Sequence, residues 1–177
     1  EFISFANLDT EKKHTIVVNS ISKNFGISGW RLGYVITNPN LISELLKINQ
    51  HLITCPPTIL EYYIDKHFDE IISITKPQIK DLALRRNQIA EYMSSLYLEF
   101  LPGTTTFYFF VSISKSKLNS EEFCWKLLQE HHISTVPGIG YGKSCDRFIR
   151  VSIGSESIER VKKGLKIIAD FIISTSN

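Results

Sequence analysis

Two short β-branched runs, Thr15 to Ser20 (TIVVNS) and Leu32 to Ile36 (LGYVI), enclose a stretch crowded with serine and glycine. Branched side chains fit a pleated surface and Ser/Gly clusters interrupt it, so this order predicts strand, tight loop, strand. Asn38-Pro39 breaks the chain next, and Leu41, Leu45, Ile48 and Leu52 then recur at helical spacing up to the stop at Cys55-Pro56-Pro57. The apolar stretch from Thr58 to Ile74 predicts more helix. Pro77 is expected to open or kink a longer one whose inner face is Ile79, Leu82, Ala83, Ile89, Met93 and Leu96, ended by Leu101-Pro102-Gly103. After that the period changes. Thr106 to Ser114 (TFYFFVSIS) is aromatic and β-branched and predicts a strand. Asn119 with Glu122 three residues on predicts a capping box for a helix to about His131. Ile133 to Val136 and Arg147 to Ile153 predict two further strands, and Ser155 is expected to cap a last helix with Ile158, Val161, Leu165, Ile168 and Ile172 on one side. Strands alternating with helices make the chain α/β or α+β.

Composition narrows the class of partner. Across 177 residues, 43% are hydrophobic and 21% charged, as in an ordinary globular protein, and the net charge of +2 is not gathered into the basic stripe a nucleic-acid binder needs. The apolar runs fall short of the roughly 18 consecutive residues of a membrane span. A small-molecule partner is therefore expected, with neither nucleic acid nor membrane. Cys55, Cys124 and Cys145 are odd in number and widely separated, which suits neither a disulfide framework nor a zinc site, and a reducing cytoplasm is the expected location.

The chemistry concentrates in Ser20-Ile-Ser-Lys-Asn-Phe-Gly-Ile-Ser-Gly-Trp-Arg-Leu-Gly33. A lysine delivered by a strand end into a dry, cationic pocket loses its proton readily enough to form a Schiff base with an aldehyde. Ser20 and Ser22 offer hydroxyl donors to a phosphate, and Arg31 offers a planar fork that binds two phosphate oxygens. Gly26, Gly29 and Gly33 are expected to let the backbone turn and approach a ligand. By composition alone the stretch equally suits a solvated Ser/Gly loop. Its order carries more: it resembles the pyridoxal-phosphate attachment signature of class I and II aminotransferases, Ser-x-Ser-Lys-x-x-Gly-x-x-Gly-x-Arg-x-Gly, at every fixed position.

A second segment points the same way. Val136-Pro-Gly-Ile-Gly-Tyr-Gly-Lys-Ser-Cys-Asp-Arg-Phe-Ile-Arg-Val-Ser152 contains Gly-Lys-Ser, but Pro137 stands where a phosphate-binding P-loop needs its first glycine. The segment instead resembles the small-domain stretch of the same family, a V-P-G turn and an aromatic-Gly pair before a strand with R-V-S. On that match Arg150 grips the substrate carboxylate. Arg147, three positions earlier, points to the opposite side of a strand and is expected to do different work. Thr106-Phe-Tyr108 resembles the family's Gly-Thr-Phe-Tyr strand. Arg85-Arg86 reads as a solvated helix face. His131-His132, ending a helix, reads as a favourable cation at the negative end of the dipole rather than as a metal site.

The resemblance implies the C-terminal portion of the fold-type-I pyridoxal-phosphate-dependent transferase fold, residues 1–76 closing the large domain and residues 77–177 forming the hinge helix and an α+β small domain. It implies pyridoxal 5'-phosphate bound as a Schiff base on Lys23, with Ser20, Ser22 and Arg31 on its phosphate. It also implies amino acid and 2-oxo acid substrates held by Arg150, in a homodimeric, cytoplasmic enzyme of amino acid metabolism. The family's further cofactor contacts, including an aspartate on the pyridine nitrogen, are expected upstream of Glu1; Asp9 stands too close to the lysine to be that aspartate. The same lysine loop also serves lyases, cyclases and synthases, and a noncatalytic small domain would carry the second segment as well.

Overall fold

The structure, a computed structural model, describes residues 3–176. The chain divides into two compact units, Glu1–Ile79 and Lys80–Asn177.

In the first unit the lysine loop lies between two antiparallel strands, β1 (Val17–Ser20) and β2 (Gly33–Ile36), in the register Val17 to Ile36 and Ser20 to Gly33. A four-residue helix, α1 (Ile21–Asn24), follows β1 directly. Helix α2 (Pro39–Leu52) starts where Asn38 caps it through Leu41 N at 3.0 Å, with proline in its first turn, where a missing N–H is harmless. Of its apolar stripe, Leu41 and Leu45 are half-buried while Ile48 and Leu52 are exposed. Only Ile21 and Leu32 are buried in this unit among the described residues, whereas Val18 is 74% exposed. A two-stranded ribbon with so little apolar cover is marginal.

The helical segment α3 (Thr58–Ser95) is two helices meeting at a kink. Pro77, expected to open or kink the longer helix, lies inside the second of the two, and the kink falls at His67 instead. The expected end at Leu101-Pro102-Gly103 is also wrong, since α3 stops at Ser95 and Tyr97 takes a left-handed conformation. From the predicted inner face, Ile89 and Met93 are buried and Leu96 packs on the core, but Ile79 and Ala83 are exposed.

The second unit has a full core. Strands β3 (Tyr108–Ser112), β4 (Val136–Pro137) and β5 (Phe148–Ser152) form an antiparallel sheet in the order β3-β5-β4. Alternate residues of β3 and β5, Phe109, Val111, Ile149 and Val151, turn to one side and are buried with α4 (Ser120–His131) and α5 (Ile158–Ser174). Helix α4 begins with the predicted capping box: the Asn119 side chain accepts from Glu122 N at 2.9 Å and Glu122 accepts from Asn119 N at 3.1 Å. Several boundaries differ from expectation. The strands expected at Thr106 to Ser114 and Arg147 to Ile153 form only at Tyr108–Ser112 and Phe148–Ser152, which leaves Arg147 in the turn before β5. The strand expected at Ile133 to Val136 forms only at Val136–Pro137, and Ser157, not Ser155, caps α5. All lie in stretches where several residues satisfy the same local rule.

This contrast predicts hydrogen-exchange behaviour. Amides of Phe109, Val111, Ile149 and Val151 should exchange at least about a hundredfold more slowly than those of Val18 and Val35, because the first group opens only with the core. Equal protection of the two groups would show that the β1–β2 ribbon is as stable as the core.

Candidate active site

Ser20 ends β1 and caps α1, its Oγ accepting from Ser22 N at 3.2 Å, so that Lys23 is carried on the one-turn helix immediately beyond the strand. The Ser20 hydroxyl proton is left available to donate. Gly26 has φ +69°, the left-handed conformation expected of a turning glycine. Arg31 takes the same conformation (φ 56°) after a single 3-10 turn, Ser28–Trp30, and its Nη1 donates to Ser28 O at 2.6 Å. That bond fixes one side of the fork and leaves Nε and Nη2 to face another partner.

Two expectations for this loop change. Gly33 is needed for an approach within the protein: a Cβ there would stand 2.7 Å from Asn19 O across the ribbon. Gly29 has open space around it and no positive φ. In this chain Lys23, Ser20 and Arg31 are exposed and Ser22 is half-buried. Aromatic packing stiffens the loop from the same unit, with Trp30 edge-on to Tyr63 at 5.6 Å and Phe25 edge-on to Phe68 at 5.6 Å. Tyr34 meets Phe68 at 6.4 Å, as a packed strand aromatic would. The donor set of one amine, two hydroxyls and one guanidinium on a single short loop suits an aldehyde bearing a phosphate.

Asp9 has a local role. Its carboxylate accepts from His14 N at 2.7 Å and Lys13 N at 3.0 Å, and the bond from His14 is the main reason its pKa lies below the ordinary value.

In the second unit the two arginines of the β5 segment part company. Arg147 is engaged on main-chain oxygens, with Nη1 donating to Leu118 O at 2.9 Å and Nη2 to the carbonyls of Ile113, Ser114 and Ser116. Arg150 stands opposite Phe110 of β3 and Val136 of β4 on the face of the sheet away from the core. Its guanidinium lies 4.4 Å from the Tyr108 ring centre and 5.3 Å from that of Tyr141, and its Nε is buried without a hydrogen-bond partner among the described residues. A buried donor left over in this way suits an arginine built to meet an outside acceptor.

Arg86 overturns the reading of Arg85-Arg86 as a solvated face. It is 5% exposed, lies 4.0 Å from the Phe109 ring centre, and donates to Gly103 O at 2.9 Å, Tyr108 O at 2.8 Å and Thr106 O at 3.3 Å. Burial lowers its pKa from the ordinary arginine value. Nothing in its sequence neighbourhood marks it, because its acceptors lie 17 to 22 residues away. His131 ends α4 edge-on to Phe171 at 5.2 Å, and among the described residues no three His, Cys, Asp or Glu side chains gather as a metal site. The thiol of Cys124 is buried and raised in pKa by that burial, Cys55 is exposed, and all three cysteines are free. No helix among the described residues is long and apolar enough to cross a membrane.

The family model for aminotransferase class I and II matches residues 1–168. The chain is 34% identical over 170 residues to a (5-formylfuran-3-yl)methyl phosphate transaminase of Methanocaldococcus jannaschii, which covers 96% of this chain and 45% of that protein. It is 30% identical over 171 residues to an aspartate aminotransferase of Pyrococcus abyssi, covering 92% of this chain and 44% of that one. Among solved structures, a Methanococcus jannaschii protein similar in its active site to kynurenine aminotransferases superposes with a TM-score of 0.79 at 32% identity, over 96% of this chain and 45% of that one. An aromatic aminotransferase of Pyrococcus horikoshii superposes with a TM-score of 0.80 at 26% identity, over 97% and 46%. The chain thus spans a little under half the length of these relatives, and with the mixed α/β fold they share it is a partial fold-type-I domain. By the extent of the model match and by these relatives, the chain belongs to the class I and II aminotransferase family, whose members depend on pyridoxal phosphate.

Proposed function

We propose that this chain serves, as the C-terminal portion of a pyridoxal-phosphate-dependent aminotransferase, in the exchange of an amino group between an amino acid and a 2-oxo acid. The observation that carries this is the loop from Ser20 to Gly33, where every fixed position of the attachment signature sits on one strand-to-strand connection. On this reading Lys23 anchors the cofactor, Ser20 and Ser22 donate hydroxyl hydrogen bonds to its phosphate, and Arg31 adds the free side of its fork. Bound there, the cofactor would supply an electron sink for the pair left when the substrate α-carbon loses a proton. Lys23 Nζ, released when substrate arrives, takes that proton and returns it, acting as the general base. Arg150 holds the substrate carboxylate, the one group that amino acid and 2-oxo acid have in common, so that one arginine serves both halves of the exchange.

Residues 1–76 are read as the end of a large domain and residues 77–177 as hinge helix and small domain, which the division into two compact units supports. A homodimeric, cytoplasmic enzyme of amino acid metabolism completes the reading, by family membership. Lyase, cyclase and synthase readings have less support, since the relatives named above are all aminotransferases or similar to them.

The test is reductive trapping in a protein containing this chain. After incubation with pyridoxal phosphate and reduction with borohydride, peptide mapping should place the label on Lys23. Label on a different lysine, or none, would remove the proposal.

A further inference from the structure

Three features of the second unit converge on the ring faces beside Arg150. First, the guanidinium has two aromatic neighbours, Tyr108 at 4.4 Å and Tyr141 at 5.3 Å, and no carboxylate partner among the described residues. Ring faces attract a guanidinium and restrict the plane it lies in, while leaving its N–H edge open.

Second, Tyr108 is held by machinery of its own. Arg86 donates to Tyr108 O and to Thr106 O. Thr106 has φ +66°, a left-handed conformation that a β-branched residue adopts only when its surroundings impose it. The same threonine accepts from Tyr108 N through Oγ1 at 3.2 Å. A charged, buried side chain and a strained residue together fix the point where β3 begins.

Third, Tyr141 rides on a loop that is pinned just as firmly. Phe110 meets its ring edge-on at 5.1 Å. Ser120, fully buried, donates from Oγ to Asp146 Oδ1 at 2.7 Å and accepts from Ile139 N at 3.1 Å. Gly138 lies so close to the far side of the loop that a Cβ would stand 2.0 Å from Cys145 O.

We infer that Tyr108 and Tyr141 are positioning residues for Arg150: their rings fix its guanidinium plane before a carboxylate arrives, with Arg86 and Thr106 holding Tyr108 and the Ser120–Asp146 pair holding the Tyr141 loop. The inference rests on the reading of Arg150 as the carboxylate-binding arginine. Orienting the fork in advance reduces the freedom lost on binding, so the rings act on affinity rather than on the proton transfer.

Nitrogen-15 spectra of the 177-residue chain report the Arg150 Nε–H directly, assigned by its disappearance in Arg150→Lys, with acetate as the carboxylate probe. The signal should be displaced by the ring currents and slow to exchange. Tyr108→Leu should return it toward the ordinary arginine position, speed its exchange, and weaken acetate binding roughly tenfold. Tyr108→Phe should leave all three as they were. Tyr141→Leu, at a side chain 46% exposed, should act in the same direction and is the variant to use if Tyr108→Leu disturbs the core methyls of Ile149 and Val151. In a protein containing this chain, the Leu variants should raise KM for the amino acid with kcat nearly unchanged. Unaltered Arg150 signals and acetate affinity in both Leu variants would overturn the inference, as would an equal loss in the Phe variant, which would assign the effect to the hydroxyl. Acetate binding that survives Arg150→Lys undiminished, or no acetate response in the parent chain, would instead overturn the reading of Arg150 and the inference with it.

Discussion

Replacing Lys23 by alanine should lower the amino-transfer rate of a protein containing this chain by at least about a thousandfold, since the general base alone contributes a factor of about 100 to 10,000 and the covalent anchor is lost as well. The substitution should leave the fold intact. Lys23 is exposed and makes no hydrogen bond or ion pair among the described residues, so its removal empties no core position and orphans no partner. Thermal unfolding should therefore be within experimental scatter of the parent while single-turnover conversion of an amino acid collapses. Added methylamine, a small primary amine that fits the vacated space, should restore part of the rate. A Lys23→Ala protein that keeps even a tenth of the parent rate would place the base on some other residue.

The second large effect separates the two arginines of the β5 segment. Arg150→Lys should raise KM for the amino acid by about ten to a hundredfold, because a point charge replaces a fork whose charge-assisted bonds contribute about 1.5–3 kcal/mol. Stability should change little, since Nε has no internal partner to leave behind. Arg147→Met should do the reverse. Its guanidinium serves the carbonyls of Ile113, Ser114, Ser116 and Leu118, and withdrawing it from those partly buried acceptors should cost about 2–3 kcal/mol of stability with KM nearly unmoved. Denaturant titration and steady-state kinetics on the two variants distinguish the cases. Matching effects on KM would mean that Arg150 is not the arginine that meets substrate.

The particular residues show where reading along the chain succeeds. The capping box at Asn119 and Glu122 and the apolar stripe of α5 are set by residues within four positions of one another, so their physics is contained in the local sequence. The lysine loop was legible for the same reason, its donors following one another between Ser20 and Arg31. The separation of Arg147 from Arg150 has a different cause from the expected alternation along a strand, because Arg147 lies in the turn before β5 and is held there by main-chain oxygens.

Other outcomes turned on contacts far apart in sequence. Arg86 reads as a surface cation until β3 comes back over α3 and presents the carbonyls of Thr106 and Tyr108. Gly33 reads as a ligand-approach glycine until the ribbon closes and Asn19 O takes the space where a side chain would stand. Arg147 finds its acceptors 29 to 34 residues upstream, whereas Arg150, three residues on, keeps a buried Nε with no partner among the described residues. The sequence by itself determined which chemical groups this protein carries and the order of strands and helices along the chain, because those depend on neighbours a few residues away. Which groups are used up inside the fold and which stay available to a substrate was decided by the tertiary structure alone, because a hydrogen-bond donor is satisfied by whatever acceptor packing brings within about 3 Å, at any distance along the chain.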